Sequence, residues 1–332
     1  MAEKEKISVI VPCFNVQNYI MRCFTCIQSQ TYGFENLEVI FIDDVSDDET
    51  WKILQELQKK YPQNVVISQL KKKGHSGGAR NVGIDLCTGQ YLTFVEADDW
   101  IHPEMLSLLH AQMQKEDYDI VQGDAFMFSN PHALDYELKV NSVDTYDLHN
   151  PEKRKEILLG LTQDLNLTVW SKIYSTKFIK NNQLHFLENC YFEDNHFTLM
   201  CSVLARKYCK VYAPIYGYYD NVSGTIIERL NPIKIRQLEI VVTQALQDIQ
   251  TRNIDVSTYQ DALDNFVFYK LYIETTTNLE IAFYSEKEHY REGILEKIPN
   301  IKKNPYLKNY TSVAAIQKIK ELGDDVKRDP IG

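Results

Sequence analysis

The chain lacks an excess of positive charge, and this excludes the basic surface on which nucleic-acid-binding proteins depend. Its 332 residues include 36 Lys and Arg against 46 Asp and Glu, which gives a formal net charge of −10 and a pI near 5.4. A protein that neutralises phosphates along a nucleic acid needs a basic face. We therefore expect no nucleic-acid partner.

Long hydrophobic runs and a regular cysteine framework are also missing. No segment approaches about 18 consecutive apolar residues, so the sequence predicts no membrane-spanning helix. The start of the chain reaches the polar Asn15 too early for a secretory signal, and the seven cysteines show no regular spacing. We expect reduced thiols and a cytoplasmic protein. Cys23 and Cys26 form a C-x-x-C on a predicted helix, but no second pair lies nearby to complete a zinc site.

Two phosphate-binding signatures are absent. The sequence contains no G-x-x-x-x-G-K-[ST], and no G-x-G-x-x-G follows the first predicted strand, so neither a P-loop nor a dinucleotide-binding site is supported. What is present is an apolar content of 44%, which over this length suffices for a large core in one large domain or two smaller ones.

Short β-rich runs alternate with helical patterns in the first 120 residues. Predicted strands cover residues 7–13, 37–43, 65–70 and 90–96, and predicted helices cover 18–29, 47–61, 76–87 and 102–114. This alternation predicts an α/β fold with a mostly parallel sheet flanked by helices. Ligands of such sheets bind at the carboxyl ends of the strands, which here lie at 12–15, 43–48 and 96–100.

The pattern loosens after residue 120. We predict strands at 118–124, 167–175 and 210–219, a helix at 193–206 and a polar surface excursion at 129–150. From about residue 231 the apolar residues recur at helical spacing, which predicts a C-terminal helical extension. The predicted domains are therefore 1–225, with halves at 1–120 and 121–225, and a helical region at 226–332.

The acidic residues of the first 120 are concentrated at two predicted strand ends. Eight of these 18 acids lie in Asp43–Glu49 and Glu96–Asp99. The first stretch could bind a base or ribose through Asp44, or it could simply cap the next helix with Ser46 or Asp47. The second places three carboxylates within four residues, and their repulsion calls for a cation such as Mg²⁺ or Mn²⁺. A solvated turn is the alternative.

Lys71–Asn81 combines glycines before a predicted helix with basic residues on both sides. A helix N-terminus of this kind suits an anionic group. A flexible loop with solvated side chains is the alternative for Lys71 to Lys73, whereas Arg80 and Asn81 fall inside the predicted helix.

Taken in order, VPCFN, IDDVSDDET and GGARNVGIDLCTGQYLTFVEADDW resemble the family 2 glycosyltransferases, and the later WSKIY and FEDNHF also fit that family. The resemblance covers about residues 6–225. It implies a Rossmann-like glycosyltransferase A-type fold and the use of a nucleotide sugar. It also implies a nucleotide site formed by Pro12, Phe14, Asn15, Asp44, Arg80 and Asn81.

Within that implied site, the first three residues line a uracil pocket, and Phe14 stands where the family usually has Tyr. Asp44 is expected to bond the base, and Arg80 with Asn81 to support the nucleotide from the helix.

Glu96, Ala97 and Asp98 occupy the position of the family's D-x-D motif. The resemblance implies that Asp98 binds Mn²⁺ or Mg²⁺ together with the donor diphosphate, with Asp99 beside it. Glu96 replaces the usual Asp, and its extra methylene moves the carboxylate away from the family's ribose contact.

The family's general base is the acid that ends an E-D pair at a helix start, which here is Asp194, preceded by Glu193 on the acceptor side. An ionised carboxylate can take the proton of an acceptor hydroxyl as that oxygen attacks the anomeric carbon, and a helix N-terminus favours the ionised form. A capping role is the alternative for this pair. Trp170 could stack on an acceptor sugar or lie in the core.

These roles imply an inverting, metal-dependent enzyme. It would move a sugar from a UDP-sugar donor to a hydroxyl of a glycan or lipid-linked sugar acceptor, forming a β-linkage in bacterial surface polysaccharide or glycoconjugate synthesis. The alternatives are a sugar-nucleotide nucleotidyltransferase and a non-catalytic nucleotide- or carbohydrate-binding protein.

The C-terminal end of the chain is basic, unlike the chain as a whole. Residues 297–328 carry eight basic and three acidic side chains, which would suit peripheral contact with anionic lipid at the inner face of the membrane. A solvated helical tail is the alternative, because no bulky apolar face accompanies the charges.

Overall fold

A computed structural model describes residues 5–129, 136–162, 166–219, 232–274 and 295–309. The strands are β1 (Ile7–Cys13), β2 (Leu37–Asp43), β3 (Val65–Gln69), β4 (Tyr91–Phe94), β5 (Trp100–Ile101), β6 (Ile120–Phe128), β7 (Val143–Asp147), β8 (Lys172–Ser175) and β9 (Lys207–Tyr219). The helices are α1 (Ile20–Gln28), α2 (Thr50–Lys60), α3 (His75–Leu86), α4 (Met105–Met113), α5 (Pro151–Gly160), α6 (Thr176–Asn181), α7 (Glu193–Leu204), α8 (Pro232–Thr251) and α9 (Gln260–Phe268).

The strands form one sheet in the order β3-β2-β1-β4-β8-β6-β9-β5, with β7 beside β9. The first four of these pair in parallel, and β8 joins them by antiparallel pairing to β4 and β6. β9 is parallel to β6 and antiparallel to β5 and β7. The prediction of an α/β fold with a mostly parallel, Rossmann-like sheet flanked by helices is confirmed.

The core of this sheet is formed by β1 and β2, which are buried along their whole length. Strands covered on both faces need continuous apolar runs rather than alternation, and the sequences ISVIV and VIFI supply them. α3 packs closely on β1, since a Cβ at Gly83 would lie 2.3 Å from Ile10 Cγ2. The core therefore holds β1, β2 and α3 as a rigid support for the loops that follow the strands.

Three local predictions differ from the structure. The strand predicted at 167–175 is confined to β8, because the chain turns at Ser171, whose φ of 58° does not fit an extended strand. The predicted surface excursion contains β7, whose side chains are mostly exposed and so give no apolar alternation. At the start of α2, Asp48 rather than Ser46 or Asp47 accepts a hydrogen bond from the backbone N–H of Thr50, at 2.9 Å.

The chain divides into two compact units, residues 1–149 with 168–225 and residues 150–167 with 226–332. The second unit contains α8 and α9, which lie in the predicted helical region. It also contains α5, a helix not predicted from the sequence, although the predicted acceptor half of 121–225 includes its residues. α5 packs on α9 instead, and Lys155 pairs with Asp261 at 3.3 Å.

Among the residues described, no helix is long and apolar enough to cross a membrane. Most of the basic stretch 297–328 lies outside the described residues, as does the predicted boundary region near 220–230. In the described part of that stretch, Lys297 pairs with Glu239 at 3.4 Å.

Candidate active site

Hydrogen bonds join the loops that follow β1 and β2 at the carboxyl edge of the sheet. Ser46 Oγ accepts from the Asn15 backbone N–H at 3.0 Å, and Asn15 Oδ1 accepts from the Asp47 backbone N–H at 3.0 Å. Asn15 has a φ of 54°, a left-handed conformation that Asn tolerates better than most residues. Asn15 therefore fixes the loop that follows Pro12 and Cys13 at the end of β1 and from which Phe14 projects.

Phe14 presents an apolar ring at this edge, with 43% of the residue exposed. Lys73 Nζ lies 4.2 Å from the ring centroid, within the range of a cation–π contact. Lys73 thus contacts the loop after β1 while remaining exposed, as Lys71 and Lys72 are. An aromatic base that stacked on Phe14 would lie next to a positive charge.

The two carboxylates at the end of β2 accept hydrogen bonds from nearby backbone N–H groups. Asp43 is fully buried and accepts from the Ser46 backbone N–H at 3.1 Å and from Gln69 Nε2 at 2.8 Å. Asp44 Oδ1 accepts from the Gly74 backbone N–H at 2.6 Å, which ties the turn after β2 to the start of α3. One oxygen of Asp44 is therefore already engaged, and a contact with a base would use the other.

Gly77 and Asn81 bring the segment before α7 against α3. A Cβ at Gly77 would lie 2.3 Å from the Leu187 carbonyl oxygen, so the helix can approach this closely only with glycine. Asn81 donates to the Phe186 carbonyl at 3.0 Å and accepts from the Phe186 N–H at 2.7 Å. Because its amide is engaged in this way, any support that Asn81 gives to a nucleotide is indirect.

Arg80 is buried at the centre of the site and bridges two carboxylates. Its Nη1 lies 2.5 Å from Glu193 Oε1, and its Nη2 lies 2.7 Å from Glu96 Oε1. Burial alone would lower the pKa of Arg80, but the charges of Glu96 and Glu193 outweigh it and raise that pKa. Arg80 therefore stays charged and joins the end of β4 to the start of α7.

The acidic turn, residues Glu96–Asp99, follows β4 and is also held by β9. The Glu96 backbone N–H donates to Tyr216 Oη at 3.0 Å, and the Tyr216 hydroxyl donates to Asp99 Oδ2 at 2.6 Å. Asp99 Oδ1 accepts from the Tyr219 N–H at 2.8 Å. Both oxygens of the buried Asp99 are engaged, so it supports the turn rather than presenting a ligand.

Asp98 differs from the other two acids of the turn. Within the described ranges its carboxylate forms no ion pair, although the Arg22 guanidinium donates to its backbone carbonyl. Burial and the charge of Glu96 raise the pKa of Asp98 to about 6. Ala97, between these acids, is buried. Asp98 is therefore the carboxylate of the turn whose charge the surrounding protein compensates least.

A nucleotide-bound divalent ion fits this arrangement. In the part of the chain that is described, no three His, Cys, Asp or Glu side chains are placed to hold a metal by themselves. Mg²⁺ and Mn²⁺ at nucleotide sites commonly use one or two carboxylates and complete their shell with phosphates and water. Asp98 can serve as such a ligand, whereas Glu96 and Asp99 already have partners.

Asp194 lies in the first turn of α7 and is half-buried. Asn195 Nδ2 donates to its Oδ1 at 3.0 Å. Phe192, the residue before the helix, has a φ of 66°, and its side chain forms no capping hydrogen bond. Glu193 and Asp194 lie in the first turn, where the helix dipole favours acidic side chains. Burial raises the pKa of Glu193 against the opposing effect of Arg80, and the charge of Asp194 raises it further. Glu193 is thus the acid of the pair that binds Arg80.

Trp170 is packed in the protein. Its ring stacks on Tyr216 with centroids 4.5 Å apart and planes at 11°, and Tyr218 stacks at 5.9 Å. Only 6% of the residue is exposed. This packing matches the core alternative, and a contact between Trp170 and an acceptor sugar stays a prediction.

Three residues near these groups were not singled out from the sequence. Tyr216 lies in a predicted strand, where alternation indicates burial but not a partner. Arg22 packs with its guanidinium 4.8 Å from the Tyr219 ring. Lys172 is fully buried, and burial with the charge of Lys210 lowers its pKa to about 7. A lysine inside an apolar predicted strand was the one available signal.

An A-type glycosyltransferase is the class of enzyme that this fold and site define: a parallel sheet, an acidic turn after its fourth strand and an acid pair at a helix start. The match to the family described as Glycosyl transferase family 2 spans residues 8–180, just over half of the chain, and the chain belongs to that family. It is therefore a glycosyltransferase. This result replaces the alternatives of a nucleotidyltransferase and a non-catalytic binding protein.

Similar proteins include several bacterial glycosyltransferases. Glycosyltransferase GlyG of Streptococcus pneumoniae is 28% identical over 294 residues, 87% of this chain and 93% of GlyG. GlyA of the same organism is 27% identical over 228 residues, 66% of this chain but only 31% of GlyA, so the chain spans about a third of that relative.

A third relative links the sequence and structure comparisons. The poly(ribitol-phosphate) beta-N-acetylglucosaminyltransferase TarS of Staphylococcus aureus is 28% identical over 225 residues, 66% of this chain and 36% of TarS. The crystal structure of TarS 1–349 in complex with UDP-GlcNAc matches with a TM-score of 0.70 and 20% identity, over 97% of this chain and 92% of that one. This similarity shows that the fold is shared.

Proposed function

We propose that this glycosyltransferase moves a sugar from a UDP-sugar to a hydroxyl of a glycan or lipid-linked acceptor, with inversion to a β-linkage, in the synthesis of a bacterial surface polysaccharide. The observation that carries the proposal is Arg80, which joins the acidic turn to the Glu193–Asp194 pair. The residues proposed for the donor and the residue proposed as the base thereby belong to one connected cluster. The UDP-GlcNAc complex and the polymer substrate in the name of TarS support the donor and acceptor classes.

Asp194 is the proposed general base. Its ionised carboxylate takes the proton of the acceptor hydroxyl while that oxygen forms a bond to the anomeric carbon and the bond to UDP breaks, in one in-line step. Attack from the face opposite UDP converts an α-linked donor into a β-linked product. The half-buried position at a helix start keeps the base partly shielded from water and favours its charge.

On the donor side, each group of residues has a separate task. Phe14 offers its exposed ring to the uracil, while Asn15 and Asp44 hold the loops that surround it. Asp98 would hold Mn²⁺ or Mg²⁺, which would supply positive charge opposite the departing diphosphate. Glu96 is directed to Arg80, so we do not assign it the ribose contact.

Replacement of Asp194 tests the base. Asp194→Asn should reduce acceptor-dependent UDP release by about 10²–10⁴-fold, the usual contribution of general base catalysis, with UDP affinity unchanged. The donor for this assay is found by a UDP-release screen with Mn²⁺ present. Asp85→Asn, at an exposed acid on α3, is the matched control and should keep full activity. Turnover by Asp194→Asn at the wild-type rate would remove Asp194 from this role.

Replacement of Asp98 tests the metal site. By calorimetry, wild type should bind UDP more tightly with Mn²⁺ than with EDTA, and Asp98→Asn should lose most of that difference because the ion loses its protein ligand. Asp85→Asn again serves as the control. Equal UDP affinity of wild type in Mn²⁺ and in EDTA would contradict the metal assignment.

A further inference from the structure

We infer that Tyr216 is a positioning residue of the donor site, whose hydroxyl fixes both ends of the acidic turn Glu96–Asp99. The inference rests on the donor role proposed for Asp98. A tyrosine hydroxyl has one donor and can also accept. Here it accepts from the Glu96 N–H at 3.0 Å and donates to Asp99 Oδ2 at 2.6 Å, so a single oxygen contacts the first and last residues of the turn.

Tyr216 is itself held by burial, by ring stacking and by strand pairing. The residue has no exposed surface, and Trp170 stacks against it at 4.5 Å with nearly parallel planes. Its backbone pairs with Ile101 in the antiparallel β5–β9 pair, so β9 also holds the strand that leaves the acidic turn. The packing therefore keeps the Tyr216 hydroxyl at one position beside the acidic turn.

The position of Asp98 depends on the Tyr216 hydroxyl, because few contacts fix the Asp98 side chain itself. Among the described residues, its carboxylate accepts no hydrogen bond from another residue, and the turn is positioned through its neighbours and through Arg22 at its carbonyl. A ligand group gains affinity when surrounding hydrogen bonds fix its orientation. Loss of the Tyr216 hydroxyl would leave the buried Asp99 one donor short and the Glu96 N–H without its acceptor.

Tyr216→Phe tests the inference, since it removes the hydroxyl and keeps the ring that stacks on Trp170. We expect the Kd for UDP with Mn²⁺ and the donor KM to rise by about 10-fold or more, the effect usual for groups that orient a metal ligand. The acceptor KM should not change. An unchanged Kd for UDP would overturn the inference.

Tyr208→Phe is the matched control. Tyr208 lies at the start of the same strand and is buried, and its hydroxyl donates a hydrogen bond to the buried Gln122 rather than to the acidic turn. Both variants should lower Tm, but only Tyr216→Phe should weaken UDP binding. Equal losses of UDP affinity would show a general effect of destabilisation and would overturn the positioning role.

Asp99→Asn provides a second route that does not depend on Tyr216→Phe folding. If the hydroxyl acts through Asp99, this variant alone should also weaken UDP binding, and the double variant should lose less than the two single losses combined. Full additivity would overturn the inference. Asp98→Asn separates the two proposals: if it leaves UDP affinity unchanged, the donor site and the inference both fail. If it weakens binding while Tyr216→Phe does not, the inference alone fails.

Discussion

At the scale of single residues, Arg80 compensates the negative charge of two carboxylates in the site. It is almost completely buried and faces Glu96 and Glu193 at hydrogen-bond distance. When one member of a buried ion pair is removed, the remaining charge keeps its desolvation cost without compensation. In this protein two carboxylates would lose their partner at once.

Arg80→Met should lower the free energy of unfolding at pH 7 by about 3–5 kcal/mol. The pKa of Glu193 is already raised by burial, and without Arg80 it should rise further. A carboxyl whose pKa is higher in the folded state stabilises that state at low pH and loses this effect as the pH rises through the folded-state value. The deficit of the variant should therefore narrow as the pH falls from 7 toward the ordinary range of a Glu carboxyl. Urea unfolding at several pH values measures it.

Lys52→Met is a suitable comparison for Arg80→Met, because Lys52 forms an exposed pair with Glu49. Exposed pairs contribute little to stability, so this variant should unfold at nearly the wild-type urea concentration across the same pH range. If the loss of unfolding free energy in Arg80→Met does not change with pH, protonation of Glu193 does not compensate for the missing ion pair.

At the scale of elements, α3 offers two adjacent glycines with opposite expected behaviour. A Cβ at Gly77 would meet the Leu187 carbonyl at 2.3 Å, whereas a Cβ at Gly78 would find its nearest heavy atoms at 3.8 and 4.0 Å. Gly77→Ala should therefore destabilise the protein by about 1–3 kcal/mol, the usual effect of overpacking. Gly78→Ala should stabilise it by about 0.5–1 kcal/mol, because alanine favours the helix.

Chemical denaturation of the two variants measures the difference. Gly77→Ala should also lower the transfer rate, because the displaced segment leads into Glu193 and Asp194. Equal stability of the two alanine variants would contradict the close approach of α3 to Leu187.

The elements that could be predicted from the sequence are those whose burial leaves a pattern. β1 and β2 are buried on both faces and appear as continuous apolar runs, and the location of Asp43 and Asp44 follows from the end of β2. β7 carries exposed side chains, and β5 has only two residues, so neither leaves a periodic signal.

The partners within the site could not be predicted for a related reason. Tyr216 bonds Asp99 across 117 positions of sequence, and Arg80 reaches Glu193 across 113. Strand and helix periodicity reports which face of an element is buried, but it carries no information on what lies opposite. The acidic turn therefore looked like three unmatched charges, whereas the structure gives two of them partners.

At the scale of the whole molecule, the net charge of −10 conceals how the acids are used. Within the two acidic stretches, Asp43 and Asp44 hold backbone N–H groups, while Glu96 is paired with Arg80. Asp98 is the carboxylate that we propose as the ligand of an incoming cation. The groups that surround each acid, rather than the total charge of the chain, thus determine which acid is left available for a donor or its metal ion.

The division into two units also predicts how the chain responds to truncation. α5 lies at residues 151–160 but belongs to the unit of residues 226–332, where Arg154 lies 5.5 Å from the Tyr259 ring and Leu158 is fully buried. A chain that ends at residue 225 would keep α5 without α9. We expect such a chain to expose apolar side chains, bind the dye ANS and give a low soluble yield.

A second truncated chain separates the loss of packing from a general loss of stability. In it, residues 150–167 are replaced by a Gly/Ser linker of the same length, which removes the orphaned helix while keeping the connection between β7 and β8. This chain should bind less ANS and remain more soluble than the simple truncation, because no helix is left without its packing partner. If both truncated chains behave alike, or if the simple truncation melts at the wild-type Tm without ANS binding, α5 does not need α9 and residues 1–225 form an independent domain.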